Sequence, residues 1–237
     1  MIFKFTYDII FTMEILYEDN HIIVVIKDFN IPFQKDSSKD KSLVEDVKDY
    51  LRIKYNKPGN IFLGTIHRID RPVGGILVFA KTSKAASRLS KSMIERKIKK
   101  TYIAVVENII SEKEVLLQDY LWKDKKRNIV KVASQSEIQK RKAKLCKLIY
   151  SPIKINFKEN ITLLNINLLT GRSHQIRVQL SNVGHPIVGD VKYFSNTMTR
   201  NISLWAKKLE FEHPVKKINM VFEKNPPKIK PFNLFID

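Results

Sequence analysis

The sequence predicts a mixed α/β domain in which both hairpins and helices join the strands. Three observations predict it. A β-branched run, Ile22-Ile23-Val24-Val25-Ile26, follows a turn at Asp19-Asn20. The pattern Ser42-Leu43-Val44-Glu45 is a capping box opening a segment with helical apolar spacing. A continuous apolar stretch at 76–80 then passes directly into a second helix-like segment.

The elements follow in order. Residues 14–17 and 21–27 are expected to form two short strands, and 30–41 a polar loop. The helix opened by Ser42 should put Leu43, Val47, Tyr50 and Leu51 near one face and end at Pro58-Gly59. Ser83 is expected to cap a helix running to about Arg96, with Ala86, Leu89 and Met93 inward. Its basic exit, 96–100, suits a helix C-terminus, where the backbone dipole favours cations. Strands are expected at 101–107 and 162–169, the latter with Leu164, Ile166 and Leu168 on one face. Residues 124–147 are dense in Lys and Arg, with scattered apolar positions. A helix is expected at 173–182, stopped at Gly184, and Asn225-Pro226-Pro227 should be extended.

The 237 residues fit one ordinary domain, and 43% hydrophobic content suffices for a core. A formal charge of +19 points to a polyanionic partner, nucleic acid or an anionic membrane, although a Lys-, Ile- and Asn-rich composition accounts for part of it. The single cysteine, Cys146, excludes an internal disulfide and favours a reducing compartment. No apolar run approaches the ~20 residues that span a bilayer. The start is broken by Lys4, Asp8 and Glu14, which makes a poor signal peptide. Met13 is a second candidate initiator, so residues 1–13 are treated as an extension and 14–237 as the domain.

Several signatures are missing. The seven glycines form neither a dinucleotide-binding fingerprint nor a Walker loop. The five histidines lack metal-ligand spacing, and no G-x-S-x-G is present. The expectation is therefore a protein with no cofactor and no metal. Two segments carry polar groups in unusual density. In the first, His67-Arg68-Ile69-Asp70-Arg71-Pro72-Val73-Gly74-Gly75, a carboxylate lies between two arginines. The glycine pair permits special backbone conformations or close approach by another chain. Taken alone, this reads more readily as a solvated charge cluster on a surface loop than as a reactive site. The second is Thr170-Gly171-Arg172-Ser173-His174-Gln175-Ile176-Arg177, followed by Gly184-His185-Pro186-Ile187-Val188-Gly189-Asp190. Helical spacing would turn Ile176, Leu180 and Val183 to the core, and His174, Arg177 and Ser181 to the opposite, polar face. Arg172 and Arg177 could then be phosphate contacts or ordinary exposed charges.

Together the two segments resemble the RluA-type family of RNA pseudouridine synthases. That family carries H-R-L-D-x-x-T/S-S/T-G around its catalytic aspartate and, later, T-G-R-T-H-Q-I-R with G-H-P-L-x-G-D. The chain reads HRIDRPVGG, TGRSHQIR and GHPIVGD. The opening Leu16-Tyr17-Glu18-Asp19-Asn20-His21-Ile22-Ile23-Val24-Val25 and the segment Lys100-Thr101-Tyr102-Ile103-Ala104 also match, so the resemblance runs from about residue 14 to about 222. There are departures. Lys27-Asp28-Phe29-Asn30 stands where the family has K-P-x-G, and Val73 and Gly74 replace small hydroxyl residues. No separate RNA-binding domain of the kind some relatives carry is expected before the core.

The resemblance implies a mostly antiparallel mixed sheet with flanking helices and a central RNA-binding cleft. It implies isomerisation of uridine to pseudouridine in ribosomal or transfer RNA, without a cofactor. Asp70 would be the catalytic carboxylate, Arg177 its charge partner and Tyr102 the active-site aromatic. Arg68 would enter the space left by a flipped base, and Arg71, Arg172 and His174 would also contact RNA. Ile69 and Val188 would be packing residues. A monomeric, cytoplasmic enzyme with RNA as partner and no membrane contact is expected. The competing class is a non-catalytic RNA-binding or ribosome-assembly protein with the same fold, against which the intact Asp70, Tyr102 and Arg177 argue. A more distant option is another basic RNA-modifying enzyme. Deaminases are disfavoured because zinc ligands are missing.

Overall fold

A computed structural model describes residues 13–235, so the extension at 1–12 lies outside the described residues. Strands β1 (Glu14–Glu18) and β2 (Ile22–Lys27) form the expected hairpin. Its turn is held by the Asp19 carboxylate, which accepts the N–H groups of His21 and Ile22 at 2.8 and 3.0 Å. Helix α1 (Leu43–Lys54) begins with the complete Ser42–Glu45 capping box. Next come β3 (Gly64–Thr65), β4 (Gly74–Ala80) and α2 (Ser83–Ile94). Thr82, not Ser83, caps α2. The Thr82 backbone is still extended, and its hydroxyl accepts the Ala85 N–H at 3.2 Å.

Strand β5 (Lys99–Glu107) follows, then β6 (Val115–Asp124) and β7 (Ile129–Val132). The basic segment therefore contains regular structure. It forms the β6–β7 turn, β7, the short helix α3 (Gln135–Lys140) and the start of β8 (Lys144–Asn156). Strand β9 (Ile161–Leu168) and helix α4 (Gln175–Asn182) precede β10 (Leu204–Glu212) and β11 (Asn219–Glu223).

The strands join one sheet in the order β1-β2-β4-β10-β5-β9-β8-β6-β7, with β3 paired to β4 and β11 to β10. Its pairings are antiparallel except β4–β10. The mixed, mostly antiparallel expectation holds. Both faces are covered along β2 and β4, which is why those strands are continuously apolar rather than alternating. On one face Ile23, Val25, Leu77 and Phe79 pack with Leu43, Val47 and Leu51 of α1 and with Ile176 and Leu180 of α4. On the other, Ile22, Val24, Ile76 and Val78 pack with Ala85 and Leu89 of α2 and with Phe232 and Phe235. Each fully buried aliphatic side chain contributes roughly 1.5–3 kcal/mol.

The glycine pair of HRIDRPVGG allows close approach by another strand. Gly74 and Gly75 lie opposite Trp205 and Ala206 across the single parallel pairing. A Cβ at Gly74 would lie 2.7 Å from the Trp205 ring edge. This explains why no hydroxyl side chain stands there. Gly75 has φ +129°, and a Cβ on it would meet the Ala206 Cβ at 2.6 Å and the Ala206 backbone closer still. Gly75→Ala should therefore destabilise the fold by roughly 2–5 kcal/mol, strain and overlap combined. A urea titration with an unchanged midpoint would show that β4 and β10 do not meet backbone to backbone.

Candidate active site

Asp70 lies on the approach to β4, in a turn closed by the Val73 N–H donating to the Asp70 carbonyl at 3.0 Å. Its neighbours Ile69 and Val73 are buried and anchor the turn, as expected for Ile69. Lys27, fully buried at the end of β2, holds the same turn from below. Its ammonium donates to the carbonyls of Asp28, Ile31 and Arg71 at 2.9, 2.9 and 2.8 Å. Burial pushes this lysine down to about 7, opposed by the charges of Asp28 and Asp70. The loop after β2 and the Asp70 turn are thus tied to one nitrogen.

Helix α4 is not amphipathic in the expected way. Residues 175–180 are all buried, whereas Val183, expected in the core, is 39% exposed. The polar members are satisfied internally. The Gln175 amide donates to the Lys147 carbonyl at 3.1 Å and to Gln179, which in turn donates to Asp119 at 2.6 Å. Arg177 points inward, so it is not a solvated charge. Its Nε and Nη2 donate to the two Asp190 oxygens at 2.7 Å each. The remaining nitrogen, Nη1, lies 3.7 Å from Asp70 Oδ2. Arg177 does meet Asp70, but its fork grips Asp190 and only its third nitrogen faces the carboxylate. Burial alone would lower the Arg177 pKa, but hydrogen bonds and charge from Asp190, with Asp70 behind, raise it.

His174 precedes α4 in the left-handed conformation, φ +54°. Its side chain is only 10% exposed, so it does not lie on an open polar face. Nε2 lies 3.9 Å from Asp70 Oδ2, and Nδ1 is 2.7 Å from the Tyr193 hydroxyl. Burial drives this imidazole down to about 4; Asp70 opposes that shift, and Arg177, Lys192 and Lys123 reinforce it. Tyr102 on β5 belongs to the same buried cluster as Ile69 and Ile176. Its burial and the nearby Asp70 charge raise its phenol pKa, so it keeps its proton at neutral pH.

The remaining sequence candidates divide. Arg68 is exposed and lines, with Gln34, Lys35, Asp36 and Arg71, a cavity of about 210 Å³. Arg71 is engaged within the chain. It donates to Ser38 at 2.9 Å and pairs with Asp36 and Asp40, latching the 30–41 loop over the Asp70 turn. Arg172 is exposed beside α4. Lys123, Lys125, Lys126 and Arg127 are exposed on the β6–β7 hairpin. Two site residues escaped the sequence reading. Asp190 stood inside GHPIVGD without a role, and Tyr193 three positions later had no pattern to mark it. Among the described residues no group of three or more His, Cys, Asp or Glu is placed to hold a metal ion.

A family model described as RNA pseudouridylate synthase matches residues 21–182. The chain belongs to that family. The match spans the Asp70 turn, Tyr102 and Arg177. Among curated relatives, the chain is 32% identical over 225 residues to "Ribosomal large subunit pseudouridine synthase C" of Buchnera aphidicola subsp. Baizongia pistaciae. That alignment covers 90% of this synthase and 67% of the relative. It is 31% identical to "tRNA pseudouridine synthase C" of Vibrio parahaemolyticus, with 89% of each chain covered. The protein from Bacillus subtilis named "Uncharacterized RNA pseudouridine synthase YhcT" is 28% identical, and the chain spans 65% of its length. In fold, the synthase resembles the solved structure of "Human RNA Pseudouridylate Synthase Domain Containing 1", with TM-score 0.73, 22% identity and coverage of 92% of this chain and 85% of that one.

The synthase's Arg177–Asp190 pair is among its most buried charges, with side-chain exposures of 6% and 1%. Arg177→Met would leave the Asp190 carboxylate buried without a counter-charge, so it should cost roughly 3–5 kcal/mol of stability. An unchanged melting temperature would show the pair to be dispensable to the fold.

Proposed function

We propose that this chain isomerises uridine to pseudouridine in ribosomal or transfer RNA, with Asp70 as the catalytic carboxylate. The observation that carries this reading is the setting of Asp70, a half-buried carboxylate faced on one oxygen by Arg177 and His174, with Tyr102 close enough to feel its charge. The reaction detaches the base from C1′, turns it and rejoins it through C5. The C5 proton leaves, and N1 gains one. No atoms are added overall and no electrons are exchanged, so acid–base and covalent chemistry by side chains suffices. A carboxylate can add to C1′, stabilise the electron-poor sugar, or take a proton from C2′, much as glycosidase carboxylates act beside an oxocarbenium-like centre.

The surrounding groups then have distinct work. Arg177 faces Asp70 with a counter-charge and aims it while substrate displaces water. Tyr102 offers a ring to stack on the base and a protonated hydroxyl for proton transfer. Arg68, exposed at the edge of the site, fills the gap when the target base swings out, a step costing a few kcal/mol. The exposed lysines and arginines of the β6–β7 hairpin, with Arg172, hold phosphates and position the RNA. Relatives named for both ribosomal and transfer RNA support either substrate. We take residues 14–237 to act as one catalytic domain, monomeric and cytoplasmic, with RNA as partner and no cofactor. The single sheet running through all the strands supports the first point. A lone Cys146, buried and pushed up to about 11 by that burial, supports a reducing compartment. No helix among the described residues is long and apolar enough to cross a membrane.

Asp70→Asn preserves size and removes basicity. It should abolish pseudouridine formation on cellular RNA lacking the modification, while RNA affinity, which rests on phosphate contacts, persists. Turnover at the wild-type rate by this variant would sink the catalytic assignment. If the wild type bound RNA tightly and modified none of it, the binding-protein reading would replace this one. Arg68→Ala should slow modification of a structured RNA more than of one whose target uridine is already unstacked. Equal slowing on both substrates would remove Arg68 from the flipping step.

A further inference from the structure

The proton arrangement between Tyr193 and His174 is fixed by its surroundings. Tyr193 is 2% exposed, and its hydroxyl meets the Val130 N–H at 2.9 Å and His174 Nδ1 at 2.7 Å. Val130 can only donate. If His174 Nδ1 also carried a proton, the hydroxyl would accept twice and its own buried proton would have no acceptor among these groups. An unmet buried donor is costly, so the hydroxyl donates to Nδ1. Burial raises the Tyr193 pKa to about 12 against the opposing hydrogen bond from Val130, so that proton is present at neutral pH. The imidazole is neutral, being held near 4 by burial among Arg177, Lys192 and Lys123 with only Asp70 opposing. Its single proton is then on Nε2, the nitrogen that faces Asp70.

The geometry at Asp70 gives this tautomer a use. His174 Nε2 at 3.9 Å and Arg177 Nη1 at 3.7 Å approach the same oxygen, Oδ2. Contacts of this kind in unliganded sites are often long and tighten when substrate binds. The arrangement is also braced. The Tyr193 ring meets the His174 ring edge-on at 5.7 Å, and the Arg177 guanidinium lies over the Tyr193 ring at 5.0 Å. Its far end is the backbone of β7, in the hairpin that carries the exposed lysines. A non-glycine residue held at φ +54° beside the reacting group is the kind of local strain that a site retains for its function.

We propose that His174 is a positioning residue, locked by Tyr193 as the Nε2–H tautomer, and that it and Arg177 hold Asp70 Oδ2 so that Oδ1 is the oxygen presented to the ribose. This rests on the reading of Asp70 as the catalytic carboxylate. The roles are separable from RNA contact, because the His174 side chain is enclosed.

Two measurements test it. In ¹⁵N-histidine spectra of the wild type at neutral pH, His174 should show a protonated Nε2 and a bare Nδ1, and Tyr193→Phe should lose that preference. In single-turnover assays, His174→Asn retains an acceptor for Tyr193 and a left-handed-tolerant backbone, but has no donor reaching Asp70. It should lose about 10- to 100-fold in rate with RNA affinity unchanged. His174→Gln, whose amide reaches the Nε2 position, should recover most of that loss. A protonated Nδ1 in the wild type, a charged imidazolium, or an Asn variant as fast as wild type would each overturn the proposal. Failure of the Asp70 reading has a different signature: Asp70→Asn would still make pseudouridine while the wild type kept its Nε2–H signal.

Discussion

The site depends on the buried ion pair between Arg177 and Asp190. Taking two charges out of water costs several kcal/mol per ion, and the return is largest when the geometry is bidentate. Here it is, with two 2.7 Å bonds. The net gain in stability is modest, but the gain in orientation is large. With Nε and Nη2 committed, the guanidinium plane is fixed and Nη1 has one direction left, toward Asp70. The pair also ties distant chain segments together. Asp190 ends a loop fastened to β5, where Glu107 donates to the Pro186 carbonyl and Val188 to the Val105 carbonyl, each at 2.9 Å. Tyr102 is on that same strand. Helix α4, the loop before residue 190, β5 and the Asp70 turn are therefore positioned as one unit.

The sheet supplies the opposite wall. β4 carries the Asp70 turn into the middle of the sheet because two glycines admit Trp205 and Ala206 at close range. Lys27 fixes that turn to the end of β2 through backbone carbonyls, which hold position whatever side chains the turn bears. Arg71 adds a second fastening to the 30–41 loop. The departure at Gly74 thus has a structural account. Lys27 serves three backbone acceptors, and Gly74 makes room for an indole.

Local signals in the sequence were legible because local physics sets them. The Asp19 turn, the Ser42 capping box and the stop at Gly184 all depend on neighbours within a few residues, and the run at 76–80 shows in its own unbroken apolar composition. The strands β6, β8, β10 and β11 were not, because charged and polar residues interrupt or flank their short apolar runs. Within the basic segment, the capping box Ser134-Gln135-Ser136-Glu137 was available, but charge density obscured it. Helix α4 was misread for an instructive reason. Amphipathic reasoning assigns polar residues to water, yet Gln175, Arg177 and Gln179 find partners in β6, β8 and the Asp190 turn. The same error placed His174 outside. Family resemblance named Asp70, Tyr102 and Arg177, but not which carboxylate the arginine grips, because that depends on a three-dimensional contact thirteen residues away.

On the proposed function, Asp190 would act on the reaction through Arg177. The direct measurement is a double-mutant cycle on the single-turnover rate with Asp190→Asn, Arg177→Lys and the two combined, RNA affinity being followed in parallel. Each single variant should be slow, affinity should change little, and the double variant should be no slower than the worse single. Independent, multiplying losses, or a full rate in Asp190→Asn, would contradict it.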